Sequence, residues 1–152
     1  MLRDSINNAL KEAMKARDER RVSTLRLVNA AIQSADIEAG SQKKLPLSEA
    51  DLLSLLQKMI KQRQDSIELY EKGGRADLAA KEKGEIEIIS GFLPKQMSDV
   101  EAGHAIAAIV HEINAQTMKD MGRVMATLRE RFAGKMDFGK ASAKIKELLS
   151  KG

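Results

Sequence analysis

The sequence divides at residues 92–101, which read Phe92-Leu93-Pro94-Lys95-Gln96-Met97-Ser98-Asp99-Val100-Glu101. Proline fixes its own φ and lacks an N–H donor, so a helix cannot continue smoothly through Pro94. Ser98 and Glu101 have the spacing of a capping box, which predicts that a new helix begins immediately after Ser98. We therefore place a domain boundary at residues 94–97.

On the N-terminal side of this boundary, apolar residues recur at the helical period and predict four helices. They cover about residues 2–17, 20–39, 48–72 and 75–92. We expect the first helix to place Leu2, Ile6, Leu10 and Met14 in the core. A loop over residues 40–47 separates the second and third helices. The third begins at a weak capping box, Ser48 with Asp51, and ends at Gly73-Gly74.

On the C-terminal side, the pattern predicts three further helices. The fifth begins after Ser98, the sixth covers about residues 121–133, and the seventh begins after Asp137. Their expected core residues include Val110, Ile113 and Leu148. The alternation expected of strands is missing, so we predict an all-α fold: an N-terminal four-helix domain over residues 1–94 and a small three-helix tail domain over residues 98–152.

The composition excludes several classes of site. The chain has 152 residues, of which 43% are hydrophobic and 3% aromatic, and it has no cysteine. It therefore has no thiol nucleophile or thiolate metal site, and few rings on which bases could stack. No segment approaches the roughly 20 apolar residues of a membrane-spanning helix, and the N-terminus lacks an apolar signal core. We expect a soluble, cytoplasmic protein without a membrane partner.

Positive charge is concentrated in the last third of the chain. Residues 119–151 contain nine Lys and Arg against four Asp and Glu, a local charge of 9 − 4 = +5. Clustered cations on a small helical unit are typical of proteins that bind polyanions, although a solvated basic face has the same composition. The candidate RNA contacts are Lys119, Arg123, Lys135, Lys140 and Lys144.

Two patterns in the tail resemble catalytic or metal sites but lack the required context. Residues 134–141 fit G-x-x-x-x-G-K, yet Ala141 replaces the magnesium-binding Ser or Thr, and a helix precedes the segment where a P-loop needs a strand. We interpret it as a turn whose Asp137 caps the next helix. His104 and His111 are seven residues apart, roughly 10 Å along a helix, and cannot ligate one ion. We predict no metal, cofactor or catalytic residue.

Three charged residues fall on apolar helix faces in the N-terminal domain. Arg63 lies within the apolar stripe of the third helix, and Glu82 and Glu85 lie within that of the fourth. Because an isolated buried charge costs several kcal/mol, these side chains should pair with one another. A paired-carboxylate catalytic site is the alternative, but we favour a structural ion pair between the two helices.

Three segments together resemble the GatB/YqeY family, and the resemblance covers nearly the whole chain. The first combines residues 14–18 (Met-Lys-Ala-Arg-Asp) with 23–26 (Ser-Thr-Leu-Arg). The second begins at residues 61–66 (Lys-Gln-Arg-Gln-Asp-Ser), continues through 74–86 and ends at 92–94 (Phe-Leu-Pro). The third joins residues 120–125 (Asp-Met-Gly-Arg-Val-Met) to 134–137, where Gly-Lys-Met-Asp replaces the family's frequent Gly-Arg-Ala-Asp.

The resemblance implies a helical fold shared with the C-terminal tail of the B subunit of the tRNA-dependent amidotransferase. That enzyme is a carbon–nitrogen ligase that uses glutamine as amido-N-donor, and its tail contacts tRNA while the chemistry occurs in other domains. We therefore expect an accessory protein that binds tRNA or another structured RNA through its tail, with little contribution from the N-terminal domain and no independent catalysis. The alternative is a helical adaptor that docks on an amidotransferase or an aminoacyl-tRNA synthetase.

Overall fold

The computed structural model describes residues 1–43 and 46–150, and all regular structure within these residues is helical. The predicted all-α class is confirmed. The chain separates into two units, Met1–Leu93 and Pro94–Gly152.

Four helices form the N-terminal unit: α1 (Leu2–Ala16), α2 (Glu19–Ser41), α3 (Glu49–Lys72) and α4 (Ala76–Ser90). Helix α3 packs on α4, α1 packs on α2, and α2 also contacts α3 and α4. The buried core draws on all four helices and consists of Leu2, Ile6, Ala13, Leu25, Val28, Ile32, Leu52, Leu56, Met59 and Ile89.

The core face of α1 differs from the prediction at its C-terminal end. Met14 is 52% exposed, and Ala13 is buried in its place. Each helical residue turns by about 100°, so Met14 lies about 120° from Leu2, whereas Ala13 lies only about 20° from it. Repeated steps of four residues therefore drift away from the core, and the assignment of Met14 was wrong.

Local signals placed most helix ends correctly. The capping box of α3 is confirmed: Ser48 Oγ accepts from Asp51 N at 3.1 Å, and Asp51 Oδ2 accepts from Ser48 N at 2.9 Å. The predicted loop over residues 40–47 was partly wrong, because α2 continues through Gly40 to Ser41. Lys44 and Leu45 of that loop lie outside the described residues.

The C-terminal unit contains α5 (Asp99–Ile113), a 3₁₀ turn (Met118–Asp120), α6 (Met121–Arg131) and α7 (Phe138–Ser150). The capping box of Ser98 and Glu101 is confirmed. The buried core comprises Ile106, Ile109, Val124, Met125, Leu128, Met136, Ala141, Ile145 and Leu149. Leu148, expected in the core, is instead 37% exposed, while Leu149 is buried. Val110 and Ile113 are half-buried and pack against this core.

The segment between α4 and α5 is hydrogen-bonded within the C-terminal unit. Met97 N donates to Lys135 O at 2.8 Å, and Gln96 Nε2 donates to Gly134 O at 2.6 Å. This unit therefore begins at Pro94, four residues before the predicted start at residue 98. The organisation into two domains stays a prediction.

Candidate nucleic-acid interface

The five candidate cations lie at the surface of four consecutive segments of the C-terminal unit, and all five are exposed. Lys119 belongs to the 3₁₀ turn and Arg123 to α6, whereas Lys135 lies in the turn between α6 and α7. Lys140 and Lys144 occupy the first two turns of α7. Within the described residues, the four lysines have no carboxylate within the 4.0 Å of an ion pair, so their charges are available to a ligand.

Arg123 differs from the lysines because an acidic neighbour already binds it. Its Nη2 lies 2.8 Å from Asp120 Oδ1, one helical turn away. Asp120 also accepts from the backbone N–H groups of Gln116 and Thr117. The pKa of Asp120 lies below its usual value. The hydrogen bond from the Gln116 N–H has the largest effect on this pKa, and the hydrogen bond from the Arg123 guanidinium has the next largest. Asp120 is therefore ionised at neutral pH and competes with any phosphate for Arg123.

Lys140 and Lys144 line an open groove formed by α5, α7 and the turn before α7. Its volume is ≈ 870 Å³. Buried Ile106, Met136 and Ala141 line its apolar part. Two exposed apolar side chains border the same groove: Val100 is 68% exposed and Leu148 is 37% exposed. The groove therefore offers an apolar surface beside two cations. Lys119, Arg123 and Lys135 do not line it.

The turn between α6 and α7 holds Lys135 on a fixed backbone. Lys135 N donates to Phe132 O at 3.0 Å, and Lys135 O accepts from Met97. Gly134 precedes it with φ 74°, in the left-handed region that favours glycine. Asp137 Oδ1 then accepts from Gly139 N at 2.8 Å and from Lys140 N at 3.2 Å. The G-x-x-x-x-G-K segment is thus the turn before α7 followed by the first residues of α7, with Asp137 as N-cap, in agreement with its interpretation as a turn.

Arg63, Glu82 and Glu85 lie together between α3 and α4. Arg63 Nε is 2.8 Å from Glu85 Oε2 and 3.9 Å from Glu82 Oε2. The side chain of Arg63 is 14% exposed, that of Glu85 is 9% exposed and that of Glu82 is 22% exposed. Arg63 Nη1 also donates to the backbone carbonyl of Met59. The arrangement satisfies buried charge across a helix pair, which is the geometry of a structural ion pair.

Neither a metal site nor a membrane span is found in the part of the chain that the structure describes. Its His, Asp and Glu residues form no group of three or more that could hold an ion. None of its helices is long and apolar enough to cross a bilayer. His104 borders the groove beside Lys140 and Lys144, and His111 lies in the last turn of α5.

Sequence reasoning missed two features of this surface. The Asp120–Arg123 pair follows an i, i+3 spacing that was visible in the sequence, but the acidic partner was not considered. Leu148 fits the apolar face of α7, so its exposure beside the lysines had no sequence signal. Val100 lies about 180° around α5 from buried Ile109, so its exposure could have been predicted from the helical period.

Comparison with known proteins gives consistent matches. A protein-family model described as "Yqey-like protein" matches residues 3–149. Several fungal relatives carry the name "Altered inheritance of mitochondria protein 41, mitochondrial", among them proteins of Clavispora lusitaniae, Lachancea thermotolerans and Vanderwaltozyma polyspora. The Clavispora lusitaniae protein is 29% identical over 151 residues, which cover 97% of this chain and 85% of that protein.

Two of these relatives are matched over a shorter region. The Lachancea thermotolerans protein is 41% identical over 93 residues, covering 59% of this chain and 48% of that protein. The Vanderwaltozyma polyspora protein is 38% identical over 84 residues, covering 55% of this chain and 44% of that protein. The matched region thus spans less than half the length of these two relatives.

Proposed function

The chain belongs to the YqeY-like protein family, and we propose that it is a non-catalytic accessory protein that binds tRNA or another structured RNA through its C-terminal unit. The observation that carries the proposal is a set of four exposed lysines that have no acidic partner among residues 1–43 and 46–150: Lys119, Lys135, Lys140 and Lys144.

Phosphate contacts account for the affinity in this proposal. Each cation that neutralises a phosphate releases condensed counterions, which favours binding and makes it depend on salt. The unit is helical and poor in aromatic side chains, so base stacking contributes little. Recognition then rests on the shape and backbone of a folded RNA, as is usual for proteins that do not read base edges.

Charge reversal of the tail tests this function directly. We expect Arg123→Glu with Lys140→Glu to weaken tRNA binding at least tenfold at about 0.1 M salt, and to lower the slope of log K against log salt by about two. Filter binding across a salt series measures both quantities. The matched control is Lys58→Glu with Lys81→Glu, which reverses two exposed lysines in the N-terminal unit.

Unchanged affinity and slope in the tail variant would contradict the proposed contact surface. Equal losses of tRNA affinity in the tail variant and the control would show that the effect comes from net charge alone. Either result would remove the support that these cations give to a specific RNA contact.

Removal of the acid that competes for Arg123 should act in the opposite direction. We expect Asp120→Asn to tighten tRNA binding about two- to threefold, because it frees the Arg123 guanidinium and removes a negative charge beside it. Asparagine can still accept from Gln116 N and Thr117 N, so the turn should persist. Titration of tRNA into both proteins at one salt concentration measures the change. Weaker binding by a normally folded Asp120→Asn protein would show that Arg123 does not contact RNA.

The groove beside Lys140 and Lys144 supports a second candidate, a helical adaptor that docks on an amidotransferase or an aminoacyl-tRNA synthetase. An apolar groove with exposed Val100 and Leu148 suits an amphipathic helix of a protein partner. The charge-reversal experiment separates the two candidates. An unchanged tRNA affinity of the tail variant, together with a protein partner that stays bound after nuclease treatment, would favour the adaptor.

The compartment of action is part of the proposal. The sequence predicted a cytoplasmic protein, whereas the relatives are named mitochondrial proteins. A tRNA partner fits both compartments, since translation takes place in both, and the cytoplasmic assignment stays a prediction.

A further inference from the structure

The turn between α1 and α2, with the residues on either side of it, carries a second concentration of positive charge. Residues 11–26 contain six basic side chains against three acidic ones, a local charge of 6 − 3 = +3. Four of the six are arginines: Arg17, Arg20, Arg21 and Arg26.

These four arginines differ from the other arginines because they have no ion-pair partner in the part of the chain that the structure describes. Within residues 1–43 and 46–150, none of the four has a carboxylate within 4.0 Å. Elsewhere every arginine is engaged. Five contact a carboxylate, namely Arg3, Arg63, Arg75, Arg123 and Arg131, and Arg129 lies 6.0 Å from the ring centroid of Phe138. The unengaged guanidinium groups are therefore concentrated at one turn.

The backbone of this turn is fixed by hydrogen bonds at both helix ends. Arg17 ends α1 with φ 57° and ψ 36°, a left-handed conformation that few non-glycine residues adopt. Arg17 N donates to Met14 O at 3.2 Å, and Asp18 N donates to Ala13 O at 3.0 Å. Asp18 Oδ1 then accepts from Arg21 N as the N-cap of α2. The first turn of α2 therefore starts directly beside Arg17.

An open groove of ≈ 470 Å³ lies at this turn, lined by Arg17, Glu19, Val22, Ser23, Arg26 and Leu27. Two guanidinium groups and one hydroxyl thus border the same space. Arg20 packs along Gly84 of α4: a Cβ atom at Gly84 would lie 3.1 Å from Arg20 Nη1. The neighbouring helix thus limits where the Arg20 guanidinium can lie.

We propose that the α1–α2 turn is a second phosphate-binding surface, which takes the phosphodiester backbone of an RNA. This inference rests on the proposed function and extends it to the N-terminal unit. Guanidinium is planar and donates two parallel hydrogen bonds to a phosphate, which a lysine cannot do. The expected minor contribution of the N-terminal domain is thereby revised.

The groove chemistry favours RNA over a free phosphate ion. The Glu19 carboxylate lines the groove and repels a small anion, but it can accept a hydrogen bond from a ribose 2′-hydroxyl. The apolar side chains of Val22 and Leu27 can contact a sugar, and Ser23 can donate to a phosphate oxygen. A nucleotide chain uses all of these groups, whereas inorganic phosphate uses only the cations.

The test uses the full chain with Arg17→Asn and Arg26→Gln. Asparagine tolerates the left-handed conformation of residue 17, so the turn is preserved while two charges are lost. The matched control is Lys43→Asn with Lys58→Gln. Lys43 also has a left-handed backbone, φ 54°, and lies beyond the far end of α2, about 35 Å along the helix axis from Arg17. We expect the arginine variant to bind tRNA roughly tenfold more weakly, with a salt slope lowered by about two, and the control to stay close to wild type.

Comparison with the tail charge reversal distinguishes failure of this inference from failure of the proposed function. Weakening by the tail variant but not by the arginine variant would overturn the second surface and leave the proposed function standing. Equal weakening by the arginine variant and its control would also overturn it. Absence of tRNA binding by the wild-type chain would overturn both. One further outcome is a folded arginine variant that keeps its RNA affinity but loses a protein partner that stays bound to the wild-type chain after nuclease treatment. That result would show that the turn is a protein interface.

Amide chemical shifts give a second measurement that does not depend on affinity. A short single-stranded oligoribonucleotide should shift the signals of Arg17 and Ser23 in the wild-type chain, and equally in the tail-reversed chain. Inorganic phosphate should shift them much less at the same concentration. Equal shifts with both ligands would reduce the turn to a general anion site and overturn the assignment to RNA.

Discussion

We expect the Leu128→Ala substitution to remove a large part of the stability of the C-terminal unit while the stability of the N-terminal unit stays unchanged. Leu128 is fully buried in the core of α5, α6 and α7. Leucine-to-alanine changes in such positions cost about 3–5 kcal/mol. A unit of roughly 60 residues has only about 3–9 kcal/mol of stability in total, so the substitution removes a large part of it.

Two-dimensional amide spectra of the full chain measure this outcome residue by residue. In a urea series, signals from α5, α6 and α7 should collapse toward the random-coil range at lower urea concentrations than in the wild-type chain. Signals from the four N-terminal helices should keep their wild-type midpoint. The reciprocal control is Leu25→Ala, which opens a cavity at a fully buried position of the other core. Simultaneous loss of both units in either variant would show that they fold as one, and would contradict the two-domain prediction.

The second large effect is expected at the ion pair between α3 and α4. Replacement of Glu85 by alanine should lower the free energy of unfolding by about 3 kcal/mol. Of its two carboxylates, Arg63 would then keep only Glu82, at 3.9 Å, although its side chain is only 14% exposed in the wild-type protein. Urea denaturation followed by circular dichroism measures the loss.

Two comparison variants show whether the loss comes from a stranded charge. The double variant Arg63→Met with Glu85→Leu should recover most of the stability, because apolar replacement of both partners leaves no charge to satisfy. Glu68→Ala breaks the exposed Lys72–Glu68 pair on α3 and should change stability by less than about 0.5 kcal/mol. A Glu85→Ala protein as stable as the Glu68→Ala protein would refute a structural role for the buried pair.

The sequence predicted best where the physical signal is local. The capping boxes at Ser48 and Ser98 need only residues three apart, and both helices begin where predicted. The prediction for Met14 failed because repeated steps of four residues drift away from the core face. The prediction for Leu148 failed because the rotation of a helix relative to its core depends on neighbours that the sequence does not specify. Met136 is buried although it lies in a turn, since the core of the C-terminal unit extends under that turn.

The charged sites show the same division. The pairing of Arg63 with glutamates was predictable, because a cation within an apolar stripe demands an acidic partner. Ion pairing of the exposed arginines could not be predicted in the same way. Whether Arg17 or Arg26 is free depends on every acid that the fold brings near, so the contrast between these arginines and Arg131 appears only in the structure.

The hydrogen bonds from Gln96 and Met97 to the α6–α7 turn determine where the C-terminal unit can be separated from this chain and fused to another protein. A gene fusion with its junction at residue 98 would leave the carbonyls of Gly134 and Lys135 without these donors. A junction ahead of Pro94 would carry the donors along with their acceptors. Gene fusions should therefore favour a junction ahead of Pro94, so that residues 94–97 accompany the C-terminal unit and not the four-helix unit.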